Sequence, residues 1–114
     1  MDQVCLAVPI LAEKSNDARS FMKELESSRK AEYDASERRI GITKEAWFLA
    51  PLPSGDHLIA YIESEDFMKA LEMFVSSQDK FDLWFKRRLA DSTGLDLNQP
   101  PSGPLPELLS SYTA

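Results

Sequence analysis

Apolar residues along this chain alternate in some stretches and recur every three or four residues in others, and the changes of period mark out its elements. Gln3–Ile10 sets Val4, Leu6, Val8 and Ile10 against Cys5, Ala7 and Pro9. That alternation predicts a strand, with Pro9 at its end or on a sheet edge. Ser15, Asn16 and Asp17 then offer helix caps. Ala18, Phe21, Met22 and Leu25 follow the helical period, so one long helix is predicted to about Arg39, ended by Gly41. Carried on by threes and fours, the same stripe meets Ser28, Arg29, Glu32, Tyr33 and Ser36. The inward side of this helix is therefore apolar in its first half and polar in its second.

Two short apolar runs follow, Ala46–Ala50 and His57–Ile62, on either side of Leu52-Pro53-Ser54-Gly55. Proline second and glycine fourth suit a type I turn, so the stretch reads as an antiparallel hairpin. Both alternate sets of each run are mostly apolar: Ala46, Phe48 and Ala50 against Trp47 and Leu49, then Leu58, Ala60 and Ile62 against Ile59 and Tyr61. A strand with one wet face would alternate apolar and polar residues. One layer of helices covers a single face, so the second apolar face predicts a partner, a homodimer.

Glu63-Ser64-Glu65-Asp66 supplies caps and acids for the next helix, whose face is Phe67, Ala70, Leu71, Phe74 and Val75. Ser76–Asp79 interrupts it. A third helix, about Lys80 to Thr93, carries Phe81, Trp84, Phe85 and Leu89 inward, with Gly94 as its C-terminal cap. From Leu95 the composition turns to that of a linker, Asn98-Gln99-Pro100-Pro101-Ser102-Gly103-Pro104. Leu105, Leu108, Leu109 and Tyr112 predict that this extension docks back. Residues 108–113 read as a short added strand, with a single helical turn as the alternative.

The order strand, helix, hairpin, helices, strand is βαββαβ. It predicts an α+β fold with a ferredoxin-like antiparallel sheet, an extra helix and all helices on one face. Residues 1–94 form the domain, and 95–114 a Pro-rich extension of it. This order, the WFL…HLIAYIES hairpin and the Ser-Glu-Asp-Phe start of the second helix resemble the dimeric α/β-barrel superfamily. Within it the chain is similar to a small bacterial family of domains of unknown function. The resemblance runs from Gln3 to about Leu89 and leaves out the Pro-rich tail. It implies two protomers packed sheet against sheet. Members include cofactor-independent monooxygenases, stress-response dimers and decarboxylase- or cyclase-like enzymes, so the chemistry stays open.

At 114 residues and 12.9 kDa the chain suits one domain. A net charge of −6 argues against nucleic acid, because a duplex is held by an excess of Lys and Arg. Arg38-Arg39 and Lys86-Arg87-Arg88 fall near the ends of predicted helices, where cations meet the negative end of the dipole. The sequence has no leader-like or membrane-spanning apolar run, so no membrane partner and a cytoplasmic location are expected. Cys5, the single cysteine, is expected to be a buried and inert thiol in its apolar run.

Phosphate loops, HExxH, zinc spacings and nucleophile elbows are absent, so neither metal nor flavin nor another cofactor is expected. An active site would have to be assembled by the fold. His57, the only histidine, reads as a general base or as a half-exposed residue at a strand start. Arg29 and Tyr33 lie one turn apart on the inward stripe. Arg29 either holds an anionic ligand in a cavity or lies solvated with its stem over apolar neighbours. If the hairpin sets Trp47 opposite Tyr61, then Leu49, Ile59 and His57 share their face, as packing or as a pocket wall. Trp84 reads as core or as part of the same wall. The carboxylates, including Glu63, Glu65 and Asp66, read as solvated helix starts rather than acid–base pairs. Three functions fit: a homodimer holding a small organic anion or aromatic molecule between the first helix and the sheet, a cofactor-independent monooxygenase- or isomerase-like enzyme, or a structural dimer with a filled interior.

Overall fold

The computed structural model describes residues 1–114. Its elements run β1 (Asp2–Pro9), α1 (Ser15–Glu26), α2 (Lys30–Ile40), β2 (Ile42–Leu52), β3 (Gly55–Ser64), α3 (Phe67–Ser76) and α4 (Lys80–Thr93). The three strands form one antiparallel sheet in the order β1-β3-β2. No helix is long and apolar enough to cross a membrane.

The long first helix is two helices. Ser27 Oγ donates to the Lys23 carbonyl at 2.7 Å, and the Arg29 amide reaches back to the Glu24 carbonyl at 2.8 Å. Serine hydroxyls compete with the backbone ladder, and Ser27-Ser28 provides two of them at the break. Asp66 caps α3 as read, accepting from the amide of Lys69, and Asp79 caps α4, accepting from the amides of Phe81 and Asp82. No side chain caps α1; the Ser15 hydroxyl instead donates to Asp56 at 2.6 Å, tying that helix to the hairpin.

Pro53 and Ser54 alone join β2 to β3. Both keep negative φ, and Gly55 takes the positive angle, 123°, that other residues resist. Leu58, Ala60 and Ile62 face the helices and are buried, as is Val4 opposite Ile62. The core is aromatic. Phe21, Phe81 and Phe85 are buried around Leu25 and Leu89, with Phe21 and Phe85 edge to face at 5.0 Å.

The other face of the sheet is uncovered in the single chain. Ala46 pairs with Tyr61, Phe48 with Ile59, and Cys5 with Tyr61 from the far side, and all of these point away from the helices. Phe48 is 58% exposed there. Cys5 is exposed as well, contrary to the buried thiol expected, because it belongs to the outward set of β1.

Residues beyond Gly94 form neither strand nor helix, so the added strand over 108–113 is absent. Leu95, Leu97 and Leu105 pack against the core, whereas Leu108, Leu109 and Tyr112 stand exposed.

One polar cluster is sealed inside the helical layer. Asp82 and Lys86 of α4 are both 0% exposed. Asp82 accepts from Ser36 at 2.5 Å, from Ser77 at 2.5 Å and from Arg39 at 2.7 and 3.3 Å. Lys86 Nζ donates to the carbonyls of Phe74, Val75 and Ser77 at 2.9–3.2 Å, around the end of α3. Lys86 is therefore no part of a basic surface.

Candidate functional site

The polar half of the inward stripe leads to the site. Tyr33 and Glu37 lie four residues apart on α2 and so share a face. They meet Glu45 and Trp47, two residues apart on β2 and on one side of the sheet. The register from the hairpin turn sets Glu45 opposite the inward Ile62, and a β-bulge brings Ile42 to the same side. Ile42 pairs with Ser64 and Lys44 with Glu63, leaving Thr43 as the extra residue. Unbroken alternation back from Glu45 would turn Ile42 outward; the bulge puts Ile42, Glu45 and Trp47 on the same wall.

The Glu45 carboxylate collects the donors. Tyr33 Oη–H donates to Glu45 Oε2 in a short hydrogen bond, and Trp47 Nε1–H donates to the same oxygen at 2.9 Å. Glu37 faces the pair from α2, and its Oε2 is buried with no protein donor upon it. Burial, then the charge of Glu45 and a hydrogen bond to it, push the Glu37 carboxyl up to about 10. At neutral pH Glu37 is thus a neutral acid beside the Glu45 carboxylate. Burial and the same Glu45 charge hold the Tyr33 phenol well above its usual value, so it too remains a donor.

Space opens on both sides of this pair. Toward the core lies an apolar cavity of about 70 Å³ with Leu6, Ile62, Phe74 and Phe85 on its walls. Toward solvent lies a polar groove of about 290 Å³ flanked by Lys30, Asp34, Arg38 and Lys44. Glu37 and Glu45 border both spaces. The arrangement can accept a hydrogen bond or a positive charge at the end of an apolar slot, and it can share a proton between two carboxyls. No group of three or more His, Cys, Asp and Glu side chains is placed to hold a metal ion.

Of the residues singled out from the sequence, Tyr33 and Trp47 come together here. Arg29 does not join them. It precedes α2, lies over the Trp84 ring at 4.1 Å and pairs with Glu32 at 3.1 Å, bordering neither space. Trp84 packs edge-on to Phe21 at 5.6 Å under that guanidinium. Tyr61 and His57 are on the opposite face of the sheet, because Trp47 pairs with Ala60 and not with Tyr61. Leu49 goes with Trp47, so the shared face drawn from a Trp47–Tyr61 pairing does not form. Tyr61 donates to Glu63 at 2.7 Å, and His57 Nδ1 is 2.9 Å from the Gly55 carbonyl.

Glu37 and Glu45 were missed. Glu37 continues the stripe one turn past Tyr33, and Glu45 precedes Trp47 by two on an alternating strand. Those spacings were the available signals. The chain matches no protein-family model, no curated protein and no solved structure.

Proposed function

We propose that this chain is a ferredoxin-like homodimer that binds a small organic molecule between α2 and the sheet, at Glu37, Glu45, Tyr33 and Trp47. The observation that carries this reading is the Glu37 Oε2 atom, buried without a donor where the apolar cavity meets the groove. Buried polar atoms are normally satisfied, and one left open beside a cavity is a place for a ligand donor. The acid pair also reverses the charge expected of the ligand. With Arg29 held elsewhere and two carboxyls in its place, the site suits a neutral or cationic molecule with a small apolar body and repels an anion. The cavity is about half the ~150 Å³ that admits benzene, so the buried part of the ligand is a short branched chain.

Isobutylamine, isobutanol and isobutyrate test this directly. In proton–nitrogen correlation spectra the amine is expected to shift the Trp47 indole resonance in a saturable way, the alcohol less, and isobutyrate not at all. Glu45→Gln is expected to weaken the amine response at least tenfold. A Trp47 resonance unmoved by all three compounds would refute the site and leave the structural dimer as the better reading. A cofactor-independent enzyme is favoured by one further feature: a carboxyl and a carboxylate in contact can exchange a proton with a bound hydroxyl or amine.

A further inference from the structure

The uncovered sheet face is small for the dimer it is meant to make. Strands about 4.8 Å apart give three of them a width of about 14 Å, and strands of eight, eleven and ten residues span about 26–36 Å, a footprint of roughly 350–500 Å². A standard interface buries about 800 Å² on each partner. Its margin is also polar, with Gln3, Lys44, His57 and Glu63 around the outward apolar set.

The missing area lies next to it. Pro106–Ser110 border a groove of about 360 Å³ with Gln3, Cys5 and Tyr61, so the last residues of the chain run beside the β1 side of this same face. Only the base of this arm is anchored, by Leu105 against the core around Val4 and Ile62. Leu108, Leu109 and Tyr112 are 56%, 84% and 89% exposed. An apolar group of this kind at the rim of an uncovered apolar face marks a contact surface. One buried tyrosine alone contributes ~150–200 Å², and two leucines enlarge it further.

We infer that the arm formed by residues 107–114 clasps a second copy of this chain, with Leu108, Leu109 and Tyr112 of each protomer packing on the other and completing the interface begun by the sheet face. The inference rests on the sheet-to-sheet dimer proposed above. The twofold arrangement supplies two arms, one on each side of the contact, so the added area is counted on both partners.

Analytical ultracentrifugation of the full-length chain and two full-length variants separates the two ideas. The wild type is expected to be a dimer at 10 μM. Leu109→Asp combined with Tyr112→Asp is expected to raise the dimer dissociation constant at least 100-fold. Phe48→Asp, in the middle of the sheet face, is expected to do the same. Far-ultraviolet circular dichroism should show both variants folded, since neither site is buried in the single chain; an unfolded arm variant would overturn the assignment of these residues to the dimer contact. If Phe48→Asp dissociates the dimer while the arm variant binds like wild type, the clasp is wrong and the sheet dimer stands. A monomeric wild type at 10 μM overturns both.

Discussion

Asp82→Ala is expected to destabilise the fold by about 3–5 kcal/mol, the cost typical of breaking a buried, hydrogen-bonded charge cluster by removing one member. In a chain of this size that lowers the melting temperature by roughly 12–20 °C. The reason is the number of groups that one carboxylate satisfies. Ser36 and Arg39 reach it from α2 and Ser77 from the end of α3, so Asp82 joins three helices at a point with no water to replace it. The Lys86 ammonium one turn away, already lowered by its burial, loses the charge that offsets that burial. Asp82→Asn keeps the shape and one acceptor oxygen and is expected to fall between wild type and alanine. Thermal and urea unfolding measure the series; a loss below 1 kcal/mol for alanine would show the cluster to be solvated.

Glu37→Gln is expected to change how stability depends on pH. Glu37 is raised from about 4.5 to about 10 in the folded chain. Between those values the native state holds a proton that the unfolded chain has released. The sign follows: stability is highest below about pH 4.5 and falls as pH rises through the window, by at most about 1.4 kcal/mol per pH unit for one group. Glutamine keeps a donor toward Glu45 and has no proton to lose. The variant should therefore match wild type near pH 5 and exceed it progressively at pH 6.5 and 8. Urea unfolding at those three values gives the difference, with the other carboxylates cancelling between the two proteins. Parallel profiles would mean that Glu37 is ionised in the folded chain at neutral pH.

Neither Asp82 nor Glu37 stands out in the sequence, but Glu37 lies one turn past a residue that does. The stripe Ala18, Phe21, Met22, Leu25 gave the buried side of the first helix correctly, and its extension led to Tyr33, now 7% exposed. Asp82 and Lys86 carried no such mark. On sequence they read as one acid and one base of an ordinary amphipathic helix, and they are buried because Ser36, Arg39 and the last carbonyls of α3 arrive from elsewhere in the chain. A buried charge depends on its partners, and partners distant in sequence leave no local period.

By itself, then, the sequence determined the kinds and order of the elements up to Gly94, apart from the break that makes two helices of the first, together with the hairpin turn at Pro53-Ser54 and the helix cap at Asp66. These follow from local backbone preferences and from which residues avoid water. The tertiary structure decided the strand register, the site and the fate of the tail. The two-residue turn at Pro53-Ser54 set Trp47 opposite Ala60 rather than Tyr61 and so faced Glu45 and Trp47 toward α2, since a shift of one residue exchanges the two faces of a strand, and one extra residue at Thr43 brought Ile42 to the same side. Arg29 left the inward stripe because the helix breaks at Ser27–Arg29 and the Trp84 ring offers its guanidinium a surface to stack on. The tail carries the leucines of a docking segment, yet of Leu105, Leu108 and Leu109 only Leu105 packs on the core of its own chain. Burial needs an enclosing surface, and the open groove beside Cys5 and Tyr61 leaves Leu108 and Leu109 exposed, as Tyr112 is.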